Sequence, residues 1–177
     1  YEEFTKDVPV GANILIDDGE IKLTVTEKKG RKLCCIVDND GVIKGKKSLN
    51  VPDVSIKLAS VTPKDREFII WAIENDLDFV AHSFVRNKSD LMEVNNILKE
   101  YNSHLKIISK IENREGVDNI DEILENCYGI MVARGDLGVE IEAEKIPVVQ
   151  RSIIKKCHAR KKPVIIATQM LHTMIDN

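Results

Sequence analysis

Apolar positions between residues 60 and 168 follow two alternating grammars. Short, nearly continuous apolar runs at 78–84 (DFVAHSF), 105–112 (LKIISKIE), 129–135 (GIMVARG) and 164–168 (VIIAT) predict strands buried on both faces. Before and between them, apolar residues recur at helical spacing. Ile69, Ala72 and Ile73 share one face, as do Leu91, Val94, Leu98 and Tyr101 over 89–101. Val117, Ile120 and Leu124 do so over 114–126, and Val149, Ile153 and Cys157 over about 147–160. Thr62 caps the first of these helices, Pro63 takes its first position, and Asp65 favours its first turn. Pro147 is tolerated in the first turn of the last helix, and Pro163 closes that region. Repeated β–α units of this kind predict a parallel sheet, in an α/β fold that is either doubly wound or a (β/α)8 barrel. Four strands cannot close a barrel that typically needs about 250 residues. The barrel reading therefore implies a partial TIM barrel.

Residues 1–60 obey a different rule. Three β-rich runs at 13–16, 20–26 and 32–37 are separated by the turn signals DDG and KKG. A Gly- and Lys-rich loop with one or two brief strands follows in NDGVIKGKKSLNVPD, and no stretch is long enough for a buried helix. This predicts a small all-β module.

Composition narrows the function classes. The chain has 177 residues, 43% of them hydrophobic and 31% charged, and a net charge of −3. That suits a globular core and offers no basic face for nucleic acid. Cys34, Cys35, Cys127 and Cys157 lack metal-type spacing, which predicts free thiols in a reduced, cytoplasmic setting. No run approaches the roughly 20 apolar residues of a membrane span. The chain begins without Met and stops abruptly at HTMIDN, so an excised piece of a longer protein is expected.

In either parallel architecture, sites gather at the carboxyl ends of the strands. Those ends carry Ser83 and Arg86; Lys110 and Glu112; Arg134, Gly135 and Asp136; and Thr168 and Gln169. Lys110 and Glu112 are two apart on a strand and leave the same face, as a structural ion pair or as half of a chemical site. The convergence of polar residues at four consecutive ends favours the site. Glu112 and Asp136 supply hard oxygen ligands, and Mg2+ commonly takes one or two carboxylates and completes its shell with water and substrate oxygens. Gly135 lets backbone approach a ligand, and GDLG opens a short helix. Lys110 faces developing negative charge on an oxygen, as in an enolate, and Thr168 offers a hydroxyl to the same ligand. The blander features are read as structure. DDG is a hairpin turn, His82 is packed, and His104 and His158 lie on the surface. KKCHARKK is a solvated helix end, and Cys34–Cys35 is a strand pair.

At these residues the sequence resembles the pyruvate kinase family. IISKIENREGV matches its active-site signature, and MVARGDLGVEI and KPVIIATQML match its next two strand ends. ILIDDGEIKL and KKSLNVP resemble parts of its mobile lid domain, so the likeness runs over essentially the whole chain. The resemblance implies a partial (β/α)8 barrel over 56–177 and a partial, mostly β inserted lid over 1–55. It implies phosphate transfer from phosphoenolpyruvate to ADP, giving pyruvate and ATP in glycolysis. Lys110 then stabilises the enolate, and Glu112 and Asp136 hold Mg2+ or Mn2+. Ala133, Arg134, Gly135, Asp136 and Thr168 bind phosphoenolpyruvate or pyruvate, and Lys47 reaches the nucleotide phosphates. K+ is expected for the family, with ligands outside this chain, and the parent is expected to be a homotetramer.

Ser48 and Asp53 stand where the family usually has glycine, and His172–Thr173 replaces an acidic-small pair. Enolate-forming mutases and pyruvate-dependent aldolases share acidic metal sites at barrel strand ends but lack a comparable lid. Residues 1–177 alone are expected to be inactive and to self-associate through unpaired sheet edges.

Overall fold

The computed structural model describes residues 3–17, 19–45, 47–54, 56 and 58–168. The chain divides into two compact units, residues 1–58 and 59–177.

In the first unit, one helical turn, α1 (Phe4–Asp7), precedes four strands: β1 (Asn13–Ile16), β2 (Ile21–Lys29), β3 (Lys32–Val37) and β4 (Leu49–Asn50). They form an antiparallel sheet in the order β3-β2-β1-β4. β2 runs three residues further than its apolar pattern predicts, and a bulge between Val25 and Glu27 absorbs the register shift against β3. Val8, Ile14, Val25 and Val51 make a small core. Asp17 and Asp53 both adopt left-handed backbone, with φ of 56° and 61°. At position 53 this is the conformation that a glycine supplies at no steric cost.

The second unit carries four strands: β5 (Phe79–His82), β6 (Lys106–Ile111), β7 (Gly129–Ala133) and β8 (Val164–Ala167). All pair in parallel, and their order in the sheet is their order in the chain. The helices are α2 (Pro63–Glu74), α3 (Lys88–Glu100), α4 (Arg114–Asp118), α5 (Ile120–Asn126), α6 (Arg134–Glu140) and α7 (Ile146–Ala159). Val80, Ile107, Ile111, Ile130, Val132, Val164 and Ile166 pack with the helices in one core. By alternation, Phe79, Lys106, Lys110, Met131 and Ile165 face the other side of the sheet. Among the described residues no helix is long and apolar enough to cross a membrane.

Helix starts follow the caps written in the sequence. Thr62 and Asp65 close a capping box on α2, and Asn87 accepts from Ser89 and Asp90 N–H at the start of α3. Helix ends are less expected. Asp76, Asn102 and Lys161 each take φ near 50° just after α2, α3 and α7. In each case the paired bonds of a Schellman stop form, such as Asp76 N–H to Ile73 O at 3.1 Å and Leu77 N–H to Ala72 O at 3.0 Å.

The predicted helix over 114–126 is interrupted. It breaks at Asn119, whose φ of −94° and ψ of 15° separate α4 from α5. Asn119 Nδ2 donates to Arg86 O at 3.0 Å, and that anchor to a distant loop bends the chain.

Candidate active site

The carboxyl ends of β5 to β8 form one edge of the second unit, and the charged residues of the sequence reading lie along it. Lys110 is the penultimate residue of β6, and Glu112 follows the strand directly. Lys110 Nζ stands 2.7 Å from Glu112 Oε1 and donates to Ser83 Oγ at 3.0 Å. Glu112 is only 2% exposed, yet it is not stranded. Its second oxygen accepts from Phe84 N–H at 2.6 Å, a charge-assisted bond. Phe84 reaches it by taking φ of 53°, a genuine outlier for a bulky side chain.

The loop carrying Ser83 and Phe84 is braced from behind. Arg86 N–H and Nε donate to Asp90 Oδ2 at 2.9 and 3.0 Å, and Nη2 donates to Oδ1 at 2.8 Å. Asp90 is 4% exposed, so this forked pair is structural and holds Arg86 away from any role as a rim ligand.

At the end of β7, Arg134, Gly135 and Asp136 form the first turn of α6. Thr168, directly after β8, also takes left-handed backbone, with φ of 59°. Its carbonyl accepts from Arg134 Nε at 3.0 Å and Nη2 at 2.6 Å, and its Oγ accepts from Gly135 N–H at 3.0 Å. Arg134 Nη1 reaches Gln150 Oε1 at 3.3 Å. The guanidinium therefore ties two strand ends together, a use that sequence reading did not anticipate. Arg114 makes a second tie: its N–H donates to Glu140 Oε2 at 3.0 Å and its Nη2 to Glu140 O at 3.2 Å. This fastens α6 to the start of α4.

The structure thus brings Lys110, Glu112 and Ser83 into contact, and joins Thr168 to Gly135. Register pairs Ile111 with Val132, so Glu112 and Asp136 leave the same edge of adjacent strands. Among the described residues, no three His, Cys, Asp or Glu side chains gather as a metal cluster. The Glu112 and Asp136 carboxylates are hard oxygen donors, of the type of which Mg2+ commonly takes one or two, the rest of its shell coming from water and substrate oxygens. Lys47 belongs to the first unit, where its ammonium lies 2.7 Å from Asp17. Gln169 and the His172–Thr173 pair lie outside the described residues.

Three other groups behave as structure. His82 has a buried Nε2 with no hydrogen-bond partner among the described residues, and burial holds its pKa below the ordinary histidine value. Cys127 and Cys157 are free and buried, and burial pushes the Cys157 thiol up to about 11. Lys156 and Arg160, in the basic run, pair with Asp121.

The sequence matches the family model described as pyruvate kinase, barrel domain, over residues 1–177. It is 55% identical to the pyruvate kinase of Borreliella burgdorferi, with all of this chain covering 37% of that protein. Against the pyruvate kinases of Bacillus licheniformis and Clostridium perfringens, identity is 53% and 50%, again over the whole chain, covering 31% and 38% of those proteins. The chain spans about a third of the length of these relatives. The ion pair on β6 and the Gly135–Thr168 junction thus stand within a match that runs from the first residue to the last, and the chain belongs to the pyruvate kinase family.

Proposed function

We propose that the protein carrying this chain transfers phosphate from phosphoenolpyruvate to ADP, giving pyruvate and ATP, and that residues 59–168 carry part of its catalytic site. The observation that carries this reading is the Lys110 ammonium, fixed beside a buried carboxylate at the carboxyl edge of the sheet. In the reaction, the bond between phosphorus and the enol oxygen breaks and a bond from phosphorus to a terminal ADP oxygen forms. The enol oxygen leaves with a negative charge, and an ammonium already in place stabilises it without reorganisation. Glu112 keeps that ammonium at the edge, and the Phe84 N–H holds the second oxygen of Glu112 in place. Thr168 Oγ accepts from Gly135 N–H and, among the described residues, donates to no other group, which leaves its hydroxyl proton for a substrate oxygen. With Arg134 braced against Thr168 and Gln150, the Ala133–Asp136 segment meets phosphoenolpyruvate chiefly through its backbone, and the Asp136 carboxylate is kept for the divalent cation.

Glu112 and Asp136 are the residues to hold Mg2+ or Mn2+, which supplies charge neutralisation for the transferring phosphate. Lys47 contributes to the nucleotide phosphates from the first unit. Parallel strands in chain order, with no reversal, support an arc of a (β/α)8 barrel over 56–177, with residues 1–55 as part of an inserted lid. A homotetrameric, cytoplasmic enzyme that also uses K+ completes the proposal.

A coupled assay of the full-length protein tests it. Divalent-metal-dependent ATP formation from phosphoenolpyruvate and ADP is expected, and Lys110→Met is expected to lower kcat by about 10³-fold. Unchanged turnover in that variant refutes the role given to Lys110.

A further inference from the structure

A lysine ammonium has three N–H donors arranged about Nζ in a fixed tetrahedral geometry. Here one is directed at Glu112 Oε1 at 2.7 Å and one at Ser83 Oγ at 3.0 Å. The Cε–Nζ bond takes the remaining corner but one. With two donors committed, the third has a single direction. We propose that Ser83 is a positioning residue for the reaction, taking the second donor of the ammonium and pinning Nζ so that the remaining donor is aimed at the reacting oxygen. The inference rests on the reading that Lys110 meets the enolate. Glu112 alone is not sufficient for this task, because one contact leaves two donors uncommitted and lets Nζ swing about the Glu112 oxygen.

The neighbourhood is built around this arrangement. Ser83 and Phe84 hold the two members of the pair from adjacent positions, one through its hydroxyl and the other through its backbone N–H. Left-handed backbone at Phe84 is what directs that N–H at Glu112 while Ser83 keeps its place beside Lys110. Immediately beyond, Val85 is 0% exposed, Arg86 is forked onto Asp90, and Asn119 donates to the Arg86 carbonyl at 3.0 Å. The hydroxyl therefore sits on a loop that does not follow the lysine if the lysine moves. Ser83 itself is exposed, so trimming it to alanine opens no cavity in the core.

The test uses the full-length protein as wild type, Ser83→Ala and Ser83→Thr. Ser83→Ala is expected to lower kcat about tenfold while KM for phosphoenolpyruvate stays within about twofold, because orientation and not affinity is lost. Ser83→Thr keeps a hydroxyl and is expected to recover most of that loss. A second readout does not depend on turnover. Acylation of Lys110 by an N-hydroxysuccinimide ester, followed by peptide mass spectrometry, is expected to run severalfold faster in Ser83→Ala than in wild type or Ser83→Thr. Wild-type kcat and wild-type labelling in Ser83→Ala overturn the inference. Absence of phosphoenolpyruvate turnover in the wild type overturns the functional reading instead, while the labelling rates still decide whether Ser83 anchors Lys110.

Discussion

Gly116 lies in α4, a helix position where alanine is ordinarily the better residue by about 1 kcal/mol. The reverse is expected here. A Cβ at 116 meets the Val85 carbonyl oxygen closer than real Cβ atoms approach, and Asn113 Oδ1 at 3.2 Å. Neither neighbour yields cheaply. Asn113 Oδ1 accepts from Gly116 N–H at 2.7 Å and caps the helix, and Val85 is fully buried. Forced overpacking costs about 1–3 kcal/mol and a weakened cap about 1 kcal/mol, against about 1 kcal/mol of helix propensity gained. The net for Gly116→Ala is a loss of about 1–3 kcal/mol, read as a lower thermal midpoint of the full-length protein. Val85 follows Phe84, the residue that holds Glu112, so kcat is expected to fall about tenfold as well. A Gly116→Ala protein that melts at or above the wild-type temperature with wild-type kcat refutes this reasoning.

Two further outcomes follow from single groups. Lys161 holds φ of 54° to finish the Schellman stop of α7, so Lys161→Gly is expected to stabilise by about 0.5–1 kcal/mol. Denaturant midpoints check it, and a loss of stability refutes it. Burial, with Arg86 acting in the same direction, lowers the His82 pKa against the pull of Asp90, Asp65 and Glu93. Its folded value thus lies below the unfolded value of about 6.5, and the unfolded chain binds the extra proton in the window between them. His82 therefore costs nothing well above about pH 6.5 and erodes stability as pH falls toward its folded value. His82→Gln is expected to flatten that decline between about pH 7 and 5, and identical slopes in wild type and variant refute it.

Local chemistry made much of the second unit legible. Thr62, Pro63 and Asp65 announce α2 because their side chains satisfy the helix start within the same turn. The strands announce themselves by unbroken apolar runs, but burial on both faces does not hold for the outer two, where Phe79 is 50% and Ile165 43% exposed on the side away from the helices. Lys110 and Glu112 were legible as a pair because two-residue spacing on a strand leaves no freedom of face. Long-range polar contacts were not legible. Asn119 breaks its helix to reach a carbonyl 33 residues away, and Arg134 folds onto the carbonyl of Thr168, 34 residues away. Ser83 was visible as a strand-end residue, but only the structure joins it to Lys110.

Left-handed backbone separates the two ends of this sheet by cause. Asp76, Asn102 and Lys161 terminate helices just before β5, β6 and β8, so they lie at the amino ends of the strands, where the conformation supplies a helix stop. Phe84 and Thr168 lie at the carboxyl ends and stop no helix. A bulky or β-branched residue held this way costs about 1–3 kcal/mol, and it persists only where the surroundings over-determine it. At Phe84 the return is an N–H on a buried carboxylate, and at Thr168 it is a carbonyl on a guanidinium and a hydroxyl beside Gly135. Both returns are contacts to the neighbouring strand end, and both place a polar group of the proposed site. Helix termination needs no such residue at either position, so the strain is explained by the edge it builds.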